Sequence, residues 1–278
     1  MKFTVLSKLT TCVLTVALSV VASHAALTTT IIGGAVPPGT ATGDTTNATG
    51  PVTLSDTTAS GDLWEGGDEA VFLHNSTQVT GSFTATARII GQTEAANGRW
   101  GKGGIMVRND LTTTSSFAMA QAAAGNGSQP TGANPVPIRL AGRQVQGATG
   151  AGTMYEDTIG SPTSNDIFRT DGGVNATWLS ISYDAPTNAF IAGFAPDVAG
   201  APGVWTFSAA RTNVPDSNPA DGWYVGLAYS AHADMSLAAG EGQHGITFDN
   251  FSIIPEPSTA LLGSAVVGVL ALRRRRRR

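Results

Sequence analysis

The chain has little cysteine, little charge and no long apolar run, and each shortage narrows what it can do. Its one cysteine, Cys12, lies in an apolar N-terminal stretch, so the body beyond residue 25 is read as free of disulfides and thiol chemistry. Histidine is scarce too. Beyond that stretch only His74, His232 and His244 remain, with no HExxH spacing for zinc and no GxSxG turn for a nucleophile. Asp234, two residues after His232, could join a metal site, but loop and strand-end histidines are the ordinary case. Basic residues are fewer than the total suggests. Of 16 lysines and arginines, Lys2 and Lys8 precede the body and six arginines close the chain, which leaves eight against 20 acidic residues, a formal body charge of −12. Such a body argues against nucleic acid or anionic lipid as partner and is compatible with calcium or neutral glycans.

What is present at the two ends is patterned. Lys2 and Lys8 precede an apolar core from Leu9 to Val21, and Ser23-His24-Ala25 offers small residues for a signal peptidase, with cleavage expected after Ala25. A lipoprotein use of Cys12 fits poorly, because Thr11 precedes it and Lys8 interrupts the stretch ahead. At the other end, Pro255-Glu256-Pro257 is followed by an uncharged run from Ser258 to Leu272 and an arginine block from Arg273 to Arg278. Proline cannot continue a strand or helix, so the corner is expected to stay extended. The apolar run is expected to enter lipid as a helix, halted by the arginines. At ~1.5 Å per residue it covers only about 23 Å of a hydrocarbon core of roughly 30 Å.

This three-part tail resembles the PEP-CTERM sorting signal of Gram-negative bacteria. The resemblance implies Pro255, Glu256 and Pro257 as the recognition tripeptide and exosortase as a partner beside signal peptidase. It also implies a transient inner-membrane anchor through a single C-terminal transmembrane helix, followed by release to the cell surface or extracellular matrix.

Between the ends, period-two alternation dominates. Phe83, Ala85, Ala87 and Ile89 share one face of a strand, with Ser82, Thr84, Thr86 and Arg88 on the other. Leu179, Ile181 and Tyr183 lie opposite Trp178, Ser180 and Ser182. Phe190, Ala192 and Phe194, then Trp205 and Phe207, then Trp223, Val225 and Leu227 continue the pattern, and a last strand runs near Gly245 to Ile254. Turn signals such as Asn97-Gly98, Asp171-Gly172-Gly173 and Asp221-Gly222 separate these runs. Many short strands with such turns predict an all-β fold, a β-sandwich of two antiparallel sheets. The expected layout is a signal peptide at 1–25, a Thr/Gly/Pro-rich lead-in or sandwich edge at 26–50, the sandwich at 51–254 and the sorting tail at 255–278.

A second resemblance covers about Pro51 to Ile254. Gly61-Asp62-Leu63-Trp64-Glu65-Gly66-Gly67-Asp68-Glu69, then Trp100-Gly101-Lys102-Gly103-Gly104-Ile105-Met106-Val107-Arg108, Thr177-Trp178-Leu179, Gly222-Trp223-Tyr224 and Phe248-Asp249-Asn250-Phe251 follow an order similar to concanavalin A-like (laminin G-like) domains of the DUF1349-like group. It implies a two-sheet jelly roll, with extracellular polysaccharide as a plausible partner.

Within that frame, Glu65, Asp68 and Glu69 form an acidic cluster. A glycosidase needs paired carboxylates about 5–10 Å apart across the scissile bond. Here Gly66 and Gly67 intervene, and Asp68 and Glu69, being adjacent, would face opposite ways on a strand. A turn or a calcium loop explains the cluster better, so no catalytic residue and no obligatory cofactor is expected, calcium being the ion such carboxylates would take. Trp64 in its glycine- and acid-rich turn, Trp178, and Arg108 as a hydrogen-bond donor are the candidate glycan-binding residues, core packing being the ordinary role of a sandwich tryptophan. The reading is a non-catalytic, exported surface or matrix protein associating with polysaccharide; a purely structural surface component or, less well supported, a polysaccharide hydrolase are its alternatives.

Overall fold

In the computed structural model the alternating segments are strands. It describes residues 26–33, 39–56, 62–63, 67–93, 101–123, 138–148, 154–160, 177–212, 221–231 and 244–256. The strands, in chain order, are β1 (Leu27–Ile32), β2 (Thr40–Gly43), β3 (Val52–Asp56), β4 (Ala70–Asn75), β5 (Phe83–Thr93), β6 (Lys102–Arg108), β7 (Phe117–Ala123) and β8 (Ile138–Arg143). They continue with β9 (Met154–Gly160), β10 (Thr177–Asp184), β11 (Ala189–Val198), β12 (Ala201–Pro202), β13 (Thr206–Phe207), β14 (Arg211–Thr212), β15 (Tyr224–Ser230) and β16 (His244–Pro255).

Two antiparallel sheets face one another. The seven-stranded sheet has the order β1-β4-β15-β6-β7-β8-β9. The nine-stranded sheet has the order β12-β11-β10-β5-β16-β3-β2, with β13 and β14 also paired to β11. Strands close to the C-terminus are thus central: β15 separates β4 from β6, and β16 separates β3 from β5.

The core lies between the sheets. Phe83, Ala85, Ala87 and Ile89 of β5 are sealed in it, with Leu179 and Ile181 of β10 and Val225 and Leu227 of β15. Trp223, Tyr183 and Phe190 meet there, with Trp223 edge-on to both other rings at 5.2 and 5.5 Å between centroids, a geometry that aligns ring edges with ring faces. In β16 simple alternation would carry Phe251 and Ile253 to the face opposite Phe248. The register shifts between Asp249 and Ser252 instead, with Asn250 at φ +51°. Amides of Asn250 and Phe251 donate to the Thr49 and Ala48 carbonyls, so the bulge is held and both apolar residues return to the core.

The helical part of the expected fold is corrected. Among the described residues there is no helix, and none long and apolar enough to cross a membrane. Residues 1–25 and 257–278, where the signal helix and the C-terminal membrane helix were expected, lie outside the described residues. The run before the arginines also falls about 7 Å short of a roughly 30 Å hydrocarbon core. The fold is therefore all-β. The transient inner-membrane anchor, and the exosortase and signal-peptidase partnerships that depended on such helices, are withdrawn along with the surface and matrix localisation.

The tripeptide is corrected as well. Pro255 closes β16 opposite Phe83, and the Glu256 amide donates to the Ser82 carbonyl at 2.9 Å. Two of the three residues expected to form an open corner have backbone bound into the sheet, because a proline at a strand end gives up no ladder bond that the strand needs. Pro257 lies outside the described residues.

Candidate functional site

The outer face of the seven-stranded sheet carries the chemistry. Alternation turns Arg108 of β6, Phe117 of β7 and Arg143 of β8 onto it as one cross-strand row. Both guanidinium carbons lie over the Phe117 ring, 5.5 and 5.6 Å from its centroid. Asp68 joins them from the loop before β4. Its Oδ2 accepts Nη1 of Arg108 and Nη1 of Arg143, both at 2.7 Å, and its Oδ1 accepts Nη2 of Arg143 at 2.8 Å. Arg108 also donates to the Asp110 and Thr112 carbonyls, and Arg143 to those of Thr113 and Ser115.

All three charged side chains are fully enclosed. Burial pulls the Arg108 guanidinium below its usual range, and the Asp68 carboxylate opposes that pull. With two cations to one anion, the remaining charge is shared among loop carbonyls and a ring face. The cluster therefore staples the 109–116 and 67–69 loops to the sheet. Arg108 turns its donors inward, onto Asp68 and loop carbonyls, and Asp68 has both oxygens on guanidinium groups with none left for a metal ion. Glu69 is partly exposed, and Glu65 lies outside the described residues. Among the described residues no group of three or more His, Cys, Asp or Glu is placed to hold a metal ion.

Trp178 is on the other sheet, on the outer face of β10, and only 8% exposed. Its Nε1 donates to Asp197 Oδ1 at 2.8 Å, and the Arg88 guanidinium covers its ring at 5.7 Å. Arg88 in turn pairs with Asp249 through Nε and Nη2 and with Asp197 through Nη1. The Asp249 carboxylate raises the Arg88 pKa further above its already high range. Burial works against the Asp197 carboxylate, yet bonds from Trp178, the Gly200 amide and Arg88 hold it below the usual range. The network closes over the indole rather than presenting it.

The opposite end of the seven-stranded outer face is different. There β6, β7, β8 and β15 present Lys102, Gly104, Gln121, Arg139 and Ser230. Gln121 stands directly across from Gly104 on one side and Arg139 on the other, and Ser230 across from Lys102. Lys102 pairs with Asp62, and Arg139 with Glu156. Three atoms have no partner: Gln121 Nε2, Arg139 Nε and Ser230 Oγ. Gly104 belongs at the centre of this group, since a Cβ there would meet the Ala120 carbonyl at 2.0 Å. Sequence reasoning missed Gln121, Arg139 and Ser230. The signal was available: Gln121 and Arg139 are long polar side chains among alanines and glycines on strands whose opposite faces are wholly apolar.

Trp64, His232 and Asp234 lie outside the described residues. His74 does not serve a metal: its Nδ1 donates to the Asn75 carbonyl and its Nε2 accepts from the Thr30 hydroxyl.

No protein-family profile and no curated protein matches the chain. Several solved structures do. A legume lectin-like domain from Entamoeba histolytica is 8% identical, covering 84% of this chain and 91% of that one, with a TM-score of 0.48. Lectin II from Ulex europaeus is 10% identical over 84% of this chain and 95% of that one, TM-score 0.43. The LamAcat structure from Zobellia galactanivorans is 9% identical over 74% and 78%, TM-score 0.42. These are similarities of strand arrangement. The PEP-CTERM and DUF1349-like assignments are corrected, since no family profile matches; what the described residues show is a two-sheet antiparallel β-sandwich.

Proposed function

We propose that the chain is a non-catalytic, carbohydrate-associating β-sandwich that holds a neutral glycan over Gly104 on the outer face of the seven-stranded sheet. One observation carries this: Gln121 Nε2 and Arg139 Nε, in one cross-strand row with Gly104, and Ser230 Oγ, in the row beside it, have no partners. A buried donor left unpaired costs about 1–3 kcal/mol, so three together mark a place where a ligand's polar groups fit. Sugar hydroxyls donate and accept, and they need no net charge opposite them. The charges beside the row, on Lys102 and Arg139, are already neutralised by Asp62 and Glu156, which disfavours an ionic ligand. Catalysis is not supported: among the described residues the acids of this face are paired with Lys102, Arg139, Arg108 or Arg143.

Trp64, outside the described residues, is retained as the proposed stacking residue, to be tested by Trp64→Ala. A neutral polysaccharide is the proposed partner. A purely structural sandwich is the second reading, favoured by the burial of Gln121 and Ser230 themselves. A glycan array on the purified protein separates the two. Binding that Gln121→Leu weakens without lowering the melting temperature supports the site, and an array without signal leaves the structural reading.

A further inference from the structure

The nine-stranded sheet has its own feature, on the opposite side of the molecule. In β11, Ala192 and Phe194 face the core, so Gly193 opens outward. Phe207 of β13 pairs with Gly193 and lays its ring over it: a Cβ on Gly193 would come 2.5 Å from the ring and 2.8 Å from Ser180 Oγ. Trp205, two residues earlier, lies nearly parallel to Phe207, at 19° with centroids 5.9 Å apart. Phe207 is 54% exposed, and Val204, three residues before it, is 85% exposed. Removing such surface from water is favourable by roughly 25 cal/mol per Å², so its exposure needs a reason.

A second observation points to a ligand. Thr86 stands opposite both Ser252 and Ser180, and it bonds Ser252 at 3.0 Å. Ser180, next to the glycine under the Phe207 ring, is left buried with its Oγ unpartnered. The nearby charges of Arg88, Asp197 and Asp249 are committed to one another.

We propose that Trp205, Phe207 and Ser180 form a second glycan platform, separate from the Gly104 face, that takes the pyranose rings of a neutral, β-linked polysaccharide. Equatorially substituted pyranoses present flat CH surfaces, which pack on aromatic faces, while their hydroxyls stay at the rim for a group such as Ser180 Oγ. Among the described residues a cationic or anionic ligand finds no unpaired charge here. A second copy of the chain is disfavoured by area. Two aromatic rings offer at most about 150–250 Å² each, well short of the roughly 800 Å² per partner of a standard interface. With platforms on both sheets, one molecule would bridge two polysaccharide chains.

The test uses the full chain with chitohexaose, cellohexaose, and insoluble chitin and cellulose. Trp205→Ala with Phe207→Ala is expected to weaken retention about tenfold, equivalent to roughly 1.4 kcal/mol, both in the parent and in a Gln121→Leu background. Trp205→Tyr is expected to restore most of it. In the unaltered protein, a bound hexaose is expected to shield Trp205 from N-bromosuccinimide, a readout that does not depend on how the variants fold. Unchanged retention in the double variant overturns the platform, as do unshielded Trp205, no retention of the parent on any of these glycans, or self-association lost with the two rings. Undiminished binding in Gln121→Leu with Trp205 still shielded overturns the first site and leaves this one standing, which separates the two failures.

Discussion

The two outer faces of the sandwich satisfy most of their polar side chains in different ways, Ser180 on the nine-stranded sheet being left unpartnered. On the nine-stranded sheet, hydroxyls pair across strands: Thr40 with Ser55, Thr53 with Thr247, Thr84 with Ser182, and Thr86 with Ser252, all between 2.8 and 3.0 Å. Each side chain is short, sits opposite another short one, and satisfies it. On the seven-stranded sheet, polar groups are long and sparse. At one end Asp68 gathers Arg108 and Arg143 into a closed cluster, and at the other Gln121, Arg139 and Ser230 keep atoms unpaired. Paired hydroxyl rows and sealed ion clusters hold a sheet together. Unpaired donors on the same scaffold lower its stability and are explained by what they can bind.

Breaking the sealed cluster gives the largest expected effect. Asp68→Asn leaves two buried guanidiniums without an anion, and removing one partner of a buried pair costs about 3–5 kcal/mol. Urea denaturation should show the midpoint falling by that equivalent. A loss below about 1 kcal/mol would mean that the loop carbonyls and Phe117 suffice to hold both arginines. Gln121→Leu acts in the other direction. Removing an unpaired buried donor at similar volume should raise stability by about 1 kcal/mol while ending binding at the Gly104 face, a trade visible by comparing melting temperature with array signal in the Trp205→Ala, Phe207→Ala background.

A smaller effect concerns pH. Burial lowers the His74 pKa, against the Asn75 carbonyl that supports its proton. Phe72 stacks on the ring at 4.8 Å and Tyr224 meets it edge-on at 5.1 Å. Because the folded pKa lies below the ordinary value near 6.5, the unfolded chain takes up the proton first as pH falls. The contribution of this group is present above that value and is lost as pH drops towards the folded pKa. Melting temperature should therefore fall on acidification from about pH 7, by less in His74→Gln than in the parent. Smallest of all, Thr53→Val with Thr247→Val removes both partners of a hydroxyl pair and should change stability by no more than about 0.5 kcal/mol. A larger loss would show that the hydroxyl rows stabilise the sheet beyond simple satisfaction.

Trp178 shows how far the sequence could be read at a candidate site. Alternation placed it opposite Leu179, Ile181 and Tyr183, which does put it on the outer face. Nothing local could show that Arg88 and Asp197, 90 and 19 residues away, would close over it. Arg108 is similar: its neighbours mark a strand end, but its anion comes from Asp68 in a different loop and its companion cation from Arg143. Gln121 and Arg139 were legible only as polar interruptions, because being unpaired is a property of a surrounding that forms on folding.

The sequence by itself determined the all-β character, the inward face of most strands and the absence of thiol chemistry from the body, since period-two burial and cysteine content are local properties. The tertiary structure decided which strands became neighbours, with β15 placed between β4 and β6 and β16 between β3 and β5. It also decided which polar groups were sealed, paired or left open, and that Pro255 joined a strand. Those outcomes depend on contacts between residues up to about two hundred positions apart, whose pairing is selected by the closure of two sheets over one core and leaves no trace in the local pattern.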